Sequence, residues 1–151
     1  MATRTSSAVG VAAGVLTDKD GHILVGKRSN GPFRGKWEFP GGKIETENKE
    51  TAQEAVIREW KEELDIPVTV GEKIGDYANA DVELAVFWVT TEERKETITR
   101  TVHETLEFTD LSDLLSKEQY ILPLDVVALR DISIICDANN GGIPMRHRSH
   151  I

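Results

Sequence analysis

Glu38-Phe39-Pro40 followed by Gly41–Ile66, GGKIETENKETAQEAVIREWKEELDI, is the stretch around which the chain is organised. Its second half is rich in helix formers and ends in Arg58-Glu59-Trp60-Lys61-Glu62-Glu63. Glu59, Glu62 and Glu63 stand at i, i+3 and i+4, so a helix projects their carboxylates from one side. Like charges at that spacing repel, and a cation between them reverses the sign. Clustered oxygen ligands are what Mg²⁺ and Mn²⁺ select.

A helical wheel separates this cluster from an ordinary solvated face. With Glu59 at zero and about 100° per residue, Ala52, Ala55 and Val56 fall on the same side as the three carboxylates. Trp60, Leu64 and Ile57 continue the apolar stripe, while Glu50, Glu54 and Lys61 take the solvated side. Glutamates at the margin of a buried face are better explained by a metal than by solubility.

The stretch resembles the signature of the Nudix hydrolases, G-x5-E-x7-R-E-U-x-E-E-x-G-U with U aliphatic or aromatic, and within that family its MutT-like branch. Glu50, Arg58, Glu59, Trp60, Glu62, Glu63 and Ile66 match in type and spacing. Two positions depart from it. Seven residues rather than five separate Gly42 from Glu50, and Asp65 stands in place of glycine. A longer loop carries a small entropic cost, and Asp tolerates the left-handed conformation of a helix C-terminus better than most residues.

The resemblance implies an α/β/α sandwich with a mixed β-sheet between helices, and hydrolysis of a nucleoside triphosphate to the monophosphate and pyrophosphate. Glu59, Glu62 and Glu63 become the expected metal ligands, with the Gly41 carbonyl as an additional one, and Arg58 with Glu50 a supporting pair. Arg28 and Lys43 match positions that contact phosphates, and Glu38 one that positions substrate or metal. The general base of several relatives falls near Val102–Glu104, which leaves Glu104, His103 and a metal-ligand glutamate as alternatives. Strand alternation makes only one of Phe87 and Trp88 a wall for the base and the other core; Phe87 is carried as the wall. Asp125 resembles an Asn or Asp placed against the base edge, or is a first-turn residue favoured by the helix dipole. An 8-oxo-dGTP and a CTP or dCTP substrate both fit. A nucleotide-sugar or dinucleotide pyrophosphohydrolase and a non-catalytic nucleotide- or protein-binding module are the alternatives, the last disfavoured because all three glutamates remain.

Composition bounds the rest. At 151 residues and 39% hydrophobic content the chain has enough apolar material for one full core. A net charge of -8 without a basic run disfavours a nucleic-acid polymer as partner but not a nucleotide held with a cation. The single Cys136 excludes an intramolecular disulfide and fits a reducing, cytoplasmic setting; it sits in an apolar run as a small core residue. No apolar run approaches the roughly 18 residues of a membrane span. Oligomeric state is left open.

Along the chain, the pattern predicts a flexible N-terminus over 1–7, a domain over 8–137, and a flexible C-terminal tail over 138–151. Ala8–Leu16 and His22–Lys27 read as a hairpin, and 37–39 as a short extended segment. A helix starts at Lys49 or Glu50 and runs to Leu64. Strands are expected at 68–78, 82–90 and 96–108. A short helix follows over 109–115 with Asp110 as N-cap, and a second long helix over 123–136 opens on Pro123.

Overall fold

In the computed structural model, which describes residues 8–29, 31–94, 96–98 and 105–151, two largely apolar strands form the centre. These are β1 (Val9–Leu16) and, after β2 (Ile23–Lys27), β3 (Trp37–Glu38), β4 (Gly41–Lys43), α1 (Ala52–Leu64) and β5 (Thr69–Ala78), the strand β6 (Val82–Thr90). β1 and β6 pair in parallel from Val9↔Val82 to Leu16↔Val89. Successive side chains leave a strand on opposite faces. Ala13, Val15, Leu84, Val86 and Trp88 therefore enter one core, whereas Ala12, Leu16, Ala85, Phe87 and Val89 enter another with Ala55, Val56, Trp60 and Leu64 of α1. The first core is closed by α3 (Pro123–Ala138), which follows β7 (Leu106–Thr109) and the short α2 (Leu111–Leu115). Burial on both faces is why these strands read as continuous apolar runs rather than alternating ones.

β4 joins β1 and β5 joins β6, both antiparallel, giving the order β4-β1-β6-β5. A second, antiparallel sheet has the order β3-β2-β7. This is the mixed α/β arrangement that the family resemblance implies, with helices flanking sheet. No helix among the described residues is long and apolar enough to cross a membrane.

Several local expectations are corrected. β1 and β2 are not a hairpin: both edges of β1 are occupied by β4 and β6, so after one bridge at Thr17↔Ile23 the chain leaves for the other sheet. Of the expected strand over 96–108, residues 96–98 are helical and β7 accounts for the part from Leu106; residues 99–104 lie outside the described ones. α1 begins at Ala52 because Thr51 and Glu54 form a reciprocal capping box, with Glu54 N–H on Thr51 Oγ1 and Thr51 N–H on Glu54 Oε1. Asp110 does precede α2, but its carboxylate accepts from His22 Nε2 at 2.9 Å rather than capping the helix.

The largest departure is at the C-terminus. Residues read as a loose tail lie against the sheet, with Ile143, His147 and Ser149 buried. The His147 ring stacks on Trp88, centroids 4.4 Å apart and planes 6° from parallel. Backbone bonds secure the segment: Ser149 N–H donates to the Thr17 carbonyl and Lys19 N–H to the Ile151 carbonyl.

Candidate active site

Arg58 organises the loop and first face of α1. Its Nε and one terminal nitrogen hold Glu50 in a two-point contact at 2.7 and 3.1 Å. The same terminal nitrogen donates to the Lys43 carbonyl, and the other donates to Glu59 Oε1 at 3.0 Å and Glu62 Oε2 at 3.2 Å. Glu50 accepts in addition the Glu45 N–H, so Arg58 holds its carboxyl below the usual carboxylate range, helped by that backbone bond. This is far from the exposed pair of long side chains that contributes little. One guanidinium ties β4, the loop and two carboxylates of the helix together. The two extra loop residues are absorbed by a 3-10 turn at Thr46–Asn48, closed by Lys49 at φ 58°. At the other end Asp65 adopts φ 55°, the left-handed conformation expected where the signature has glycine.

Two glycines are required by what touches them. A β-carbon on Gly41 would lie 2.1 Å from the Ala12 carbonyl oxygen, inside the β1 backbone. A β-carbon on Gly42 would lie 2.3 Å from Glu59 Cδ, so the Glu59 carboxylate occupies the space a side chain would fill. Burial pushes the Glu59 carboxyl up, with Glu63 and Glu62 adding to the rise and Arg58 opposing it. Trp60 fixes the helix beside it, its Nε1–H donating to the Pro40 carbonyl at 2.9 Å.

The carboxylates do not share one environment. Glu59 borders the core, whereas the Glu62 side chain is 58% exposed and Glu63 is also exposed. Ile57, placed on the apolar stripe by the wheel, is 44% exposed. Nor do the three gather at ligand spacing, since Arg58 draws Glu59 and Glu62. Among the described residues the one trio of ligand-type side chains within 4.8 Å is Asp18, Asp20 and His22, in the turn after β1. Asp18 is already engaged: its Oδ1 accepts the backbone N–H of Asp20 and of His22, and its Oδ2 lies 3.2 Å from His22 Nδ1.

Two cavities meet at this loop. The first, about 310 Å³, is lined by Glu59, Trp60, Glu63 and Leu64 of α1, by Gly26–Ser29 and by Thr105 and Leu106. The second, about 350 Å³ and mainly apolar, lies on the α3 side between Val9, Val11, Val82, Leu84, Leu122 and Asp125. Arg28, Glu38 and Gly41 line both. Arg28 Nη1 stands 3.6 Å from Glu38 Oε1; burial raises the Glu38 carboxyl and the Arg28 charge lowers it. Lys43 reaches the second cavity only.

Asp125 is the buried polar group of the second cavity. Its Oδ2 accepts the Phe39 N–H at 2.8 Å, and burial pushes its carboxyl up to about 7. Glu38 adds to that rise, whereas the Phe39 bond and Arg28 work against it.

Phe87 is not a wall of either cavity: it is 1% exposed in the core beneath α1, and Trp88 lies in the opposite core against His147. Alternation separated the two correctly, but both faces of β6 are covered, so neither ring is left for a ligand. The aromatic side chains at the second cavity are Phe33 and Phe39, neither singled out by sequence pattern. Glu45, another residue missed, stands 3.6 Å from Arg58. Val102, His103 and Glu104 lie outside the described residues.

The sequence model of the NUDIX domain matches residues 7–130. The chain belongs to the Nudix hydrolase family. An 8-oxo-dGTP diphosphatase of Proteus vulgaris is 36% identical over 85 residues, 53% of this chain and 74% of that protein. An ADP-ribose pyrophosphatase of Methanocaldococcus jannaschii is 42% identical over 71 residues, 47% of this chain but only 41% of its own length. Among solved structures, a MutT Nudix hydrolase from Burkholderia pseudomallei superimposes with a TM-score of 0.64 at 27% identity, over 83% of this chain and 98% of that one. The Nudix signature thus sits where the geometry is densest, on Arg58 and the carboxylates it holds.

Proposed function

We propose that this Nudix hydrolase cleaves a nucleoside triphosphate to the monophosphate and pyrophosphate with the help of Mg²⁺ or Mn²⁺. The observation that carries this reading is the meeting of a carboxylate-lined cavity with an apolar one across Arg28, Glu38 and Gly41. A nucleotide has the same division into a charged and an aromatic end, and its sugar would lie across the shared residues.

The donor set fits a hard divalent cation: Glu59, Glu62, Glu63 and the Gly41 carbonyl are all oxygen ligands, and the missing side chain of Gly42 makes room for the Glu59 carboxylate. When bound, such an ion neutralises phosphate charge and lowers the pKa of attached water. The protein's own part is positioning. Arg58 holds Glu59 and Glu62 by hydrogen bonds that can be traded for ligation, Arg28 faces the phosphates, and Asp125 meets the edge of the base.

Relatives named for 8-oxo-dGTP and for ADP-ribose leave two substrate groups in contention, and a CTP or dCTP substrate fits the same division. A pyrophosphate-release assay with Mg²⁺ over ordinary and oxidised triphosphates, run beside ADP-ribose and nucleotide sugars, decides between them. Release of pyrophosphate from a triphosphate at the highest kcat/KM is the expected result. Cleavage confined to diphosphate-linked substrates would replace this reading by the second.

A further inference from the structure

The apolar cavity carries one aromatic ring that the core does not account for. Phe33 is 44% exposed at its rim, whereas Phe39 is 3% exposed and belongs to the α3-side core. An exposed phenyl ring leaves apolar area in water that burial against a ligand would remove. Its loop holds the ring at that rim by backbone bonds. Arg28 N–H donates to the Lys36 carbonyl and Gly35 N–H to the Arg28 carbonyl, both at 2.9 Å, which closes the neck of the loop. Lys36 N–H donates to the Phe33 carbonyl and Arg34 N–H to that of Gly31, which folds the tip. Gly31 and Gly35 flank Phe33 at φ 80° and 86°, and a β-carbon on either would meet nothing within 4 Å. Glycine takes this left-handed conformation without strain, so the tip can fold with Phe33 at the rim. Arg28, at the neck, lines both cavities.

We propose that Phe33, at the rim of the apolar cavity, is the stacking platform for the base while Arg28 engages the phosphates, and so is a specificity-determining residue. This rests on the nucleotide reading above. Stacking is tolerant of base identity because every base has a π face, and it grows with ring area. Phe33 therefore favours purine over pyrimidine substrates, while Asp125 acts on the base edge.

The test compares Phe33→Ala and Phe33→Trp with the wild type on a purine triphosphate, a pyrimidine triphosphate and ribose 5-triphosphate, which lacks a base. Phe33→Ala should raise KM about tenfold for the purine, less for the pyrimidine and less than about twofold for the base-free compound, with kcat little changed. Phe33→Trp should restore the purine KM. An equal rise for ribose 5-triphosphate, or an unchanged purine KM, overturns the proposal while leaving the nucleotide reading intact. Absence of pyrophosphate release from every triphosphate by the wild type overturns both.

Discussion

The two cavities of this Nudix hydrolase are built in opposite ways. The charged cavity takes its carboxylates, Glu38, Glu59 and Glu63, from one short span of chain in which a single arginine bonds four partners. The second cavity collects its apolar lining from β1, β6, Phe33, Phe39 and the start of α3. One is a network of charge-assisted hydrogen bonds, the other an apolar enclosure with one buried carboxyl. The first answers to small displacements of charged atoms and the second to shape. Substitutions on the charged side should therefore lower turnover, and those on the apolar side should change which substrate is preferred.

The largest effect is expected at Glu62. Glu62→Gln should reduce Mg²⁺-dependent pyrophosphate release by roughly 10²- to 10³-fold, while the exposed position leaves the melting temperature of the metal-free protein nearly unchanged. Retained turnover would remove Glu62 from the site. Gly42→Ala comes next. Its β-carbon would collide with Glu59 Cδ at 2.3 Å, so the carboxylate must move, and misplacement on this scale costs about a hundredfold in kcat. If activity survives, Glu59 is free to work from another rotamer, and its fit against Gly42 has no catalytic weight.

The contrast in construction also explains what could be read from sequence. Glu59, Trp60 and Leu64 share a helix whose period is known, so their mutual placement follows from spacing alone. The capping box that starts this helix was equally legible in Thr51 and Glu54, although the expected start fell earlier, at Lys49 or Glu50. Burial of both faces of β6 was not. VELAVFWVT gives alternation but not what covers each face, and coverage is supplied by α1 on one side and by α3 and His147 on the other. That is why Phe87 looked available and is not. Phe33 had no periodic signal at all, because a loop residue acquires its place from backbone bonds at Arg28 and Gly35. The packing of Ile143–Ile151 was hidden for a similar reason: Gly141-Gly142 and polar neighbours resemble a loose end, and the contacts that hold them are with Thr17, Lys19 and Trp88.

On the apolar side, Asp125 predicts a pH dependence with a definite sign. Its carboxyl lies near 7 in the folded protein, against about 3.9 when unfolded. Between those values the unfolded chain releases the proton while the folded protein keeps it, so stability through this group falls as pH rises from about 4 to 7. Asp125→Asn keeps an acceptor for the Phe39 N–H and cannot ionise. Its melting temperature relative to wild type should climb across that window and level off above it, and a constant difference would show that Asp125 does not titrate there. The same substitution should reorder preference among triphosphates more than it lowers the best kcat.

The smallest effect is expected at His147, and its sign is the reverse. Burial against Trp88 holds the imidazole below its ordinary value, with the Arg146 charge acting in the same direction and Glu72, 3.7 Å from Nε2, opposing both. As pH falls through about 6.5 the unfolded chain takes up a proton before the folded protein does, so this group contributes stability above that pH and loses it below. His147→Phe keeps a flat ring for Trp88 and removes the charge. Near pH 5 the variant should melt higher relative to wild type than it does at pH 8, with little change in kcat at either pH, since His147 lines neither cavity. A parallel fall in kcat would mean that the C-terminal segment supports the charged side through β1, and the two halves of the site would then be less independent than their construction implies.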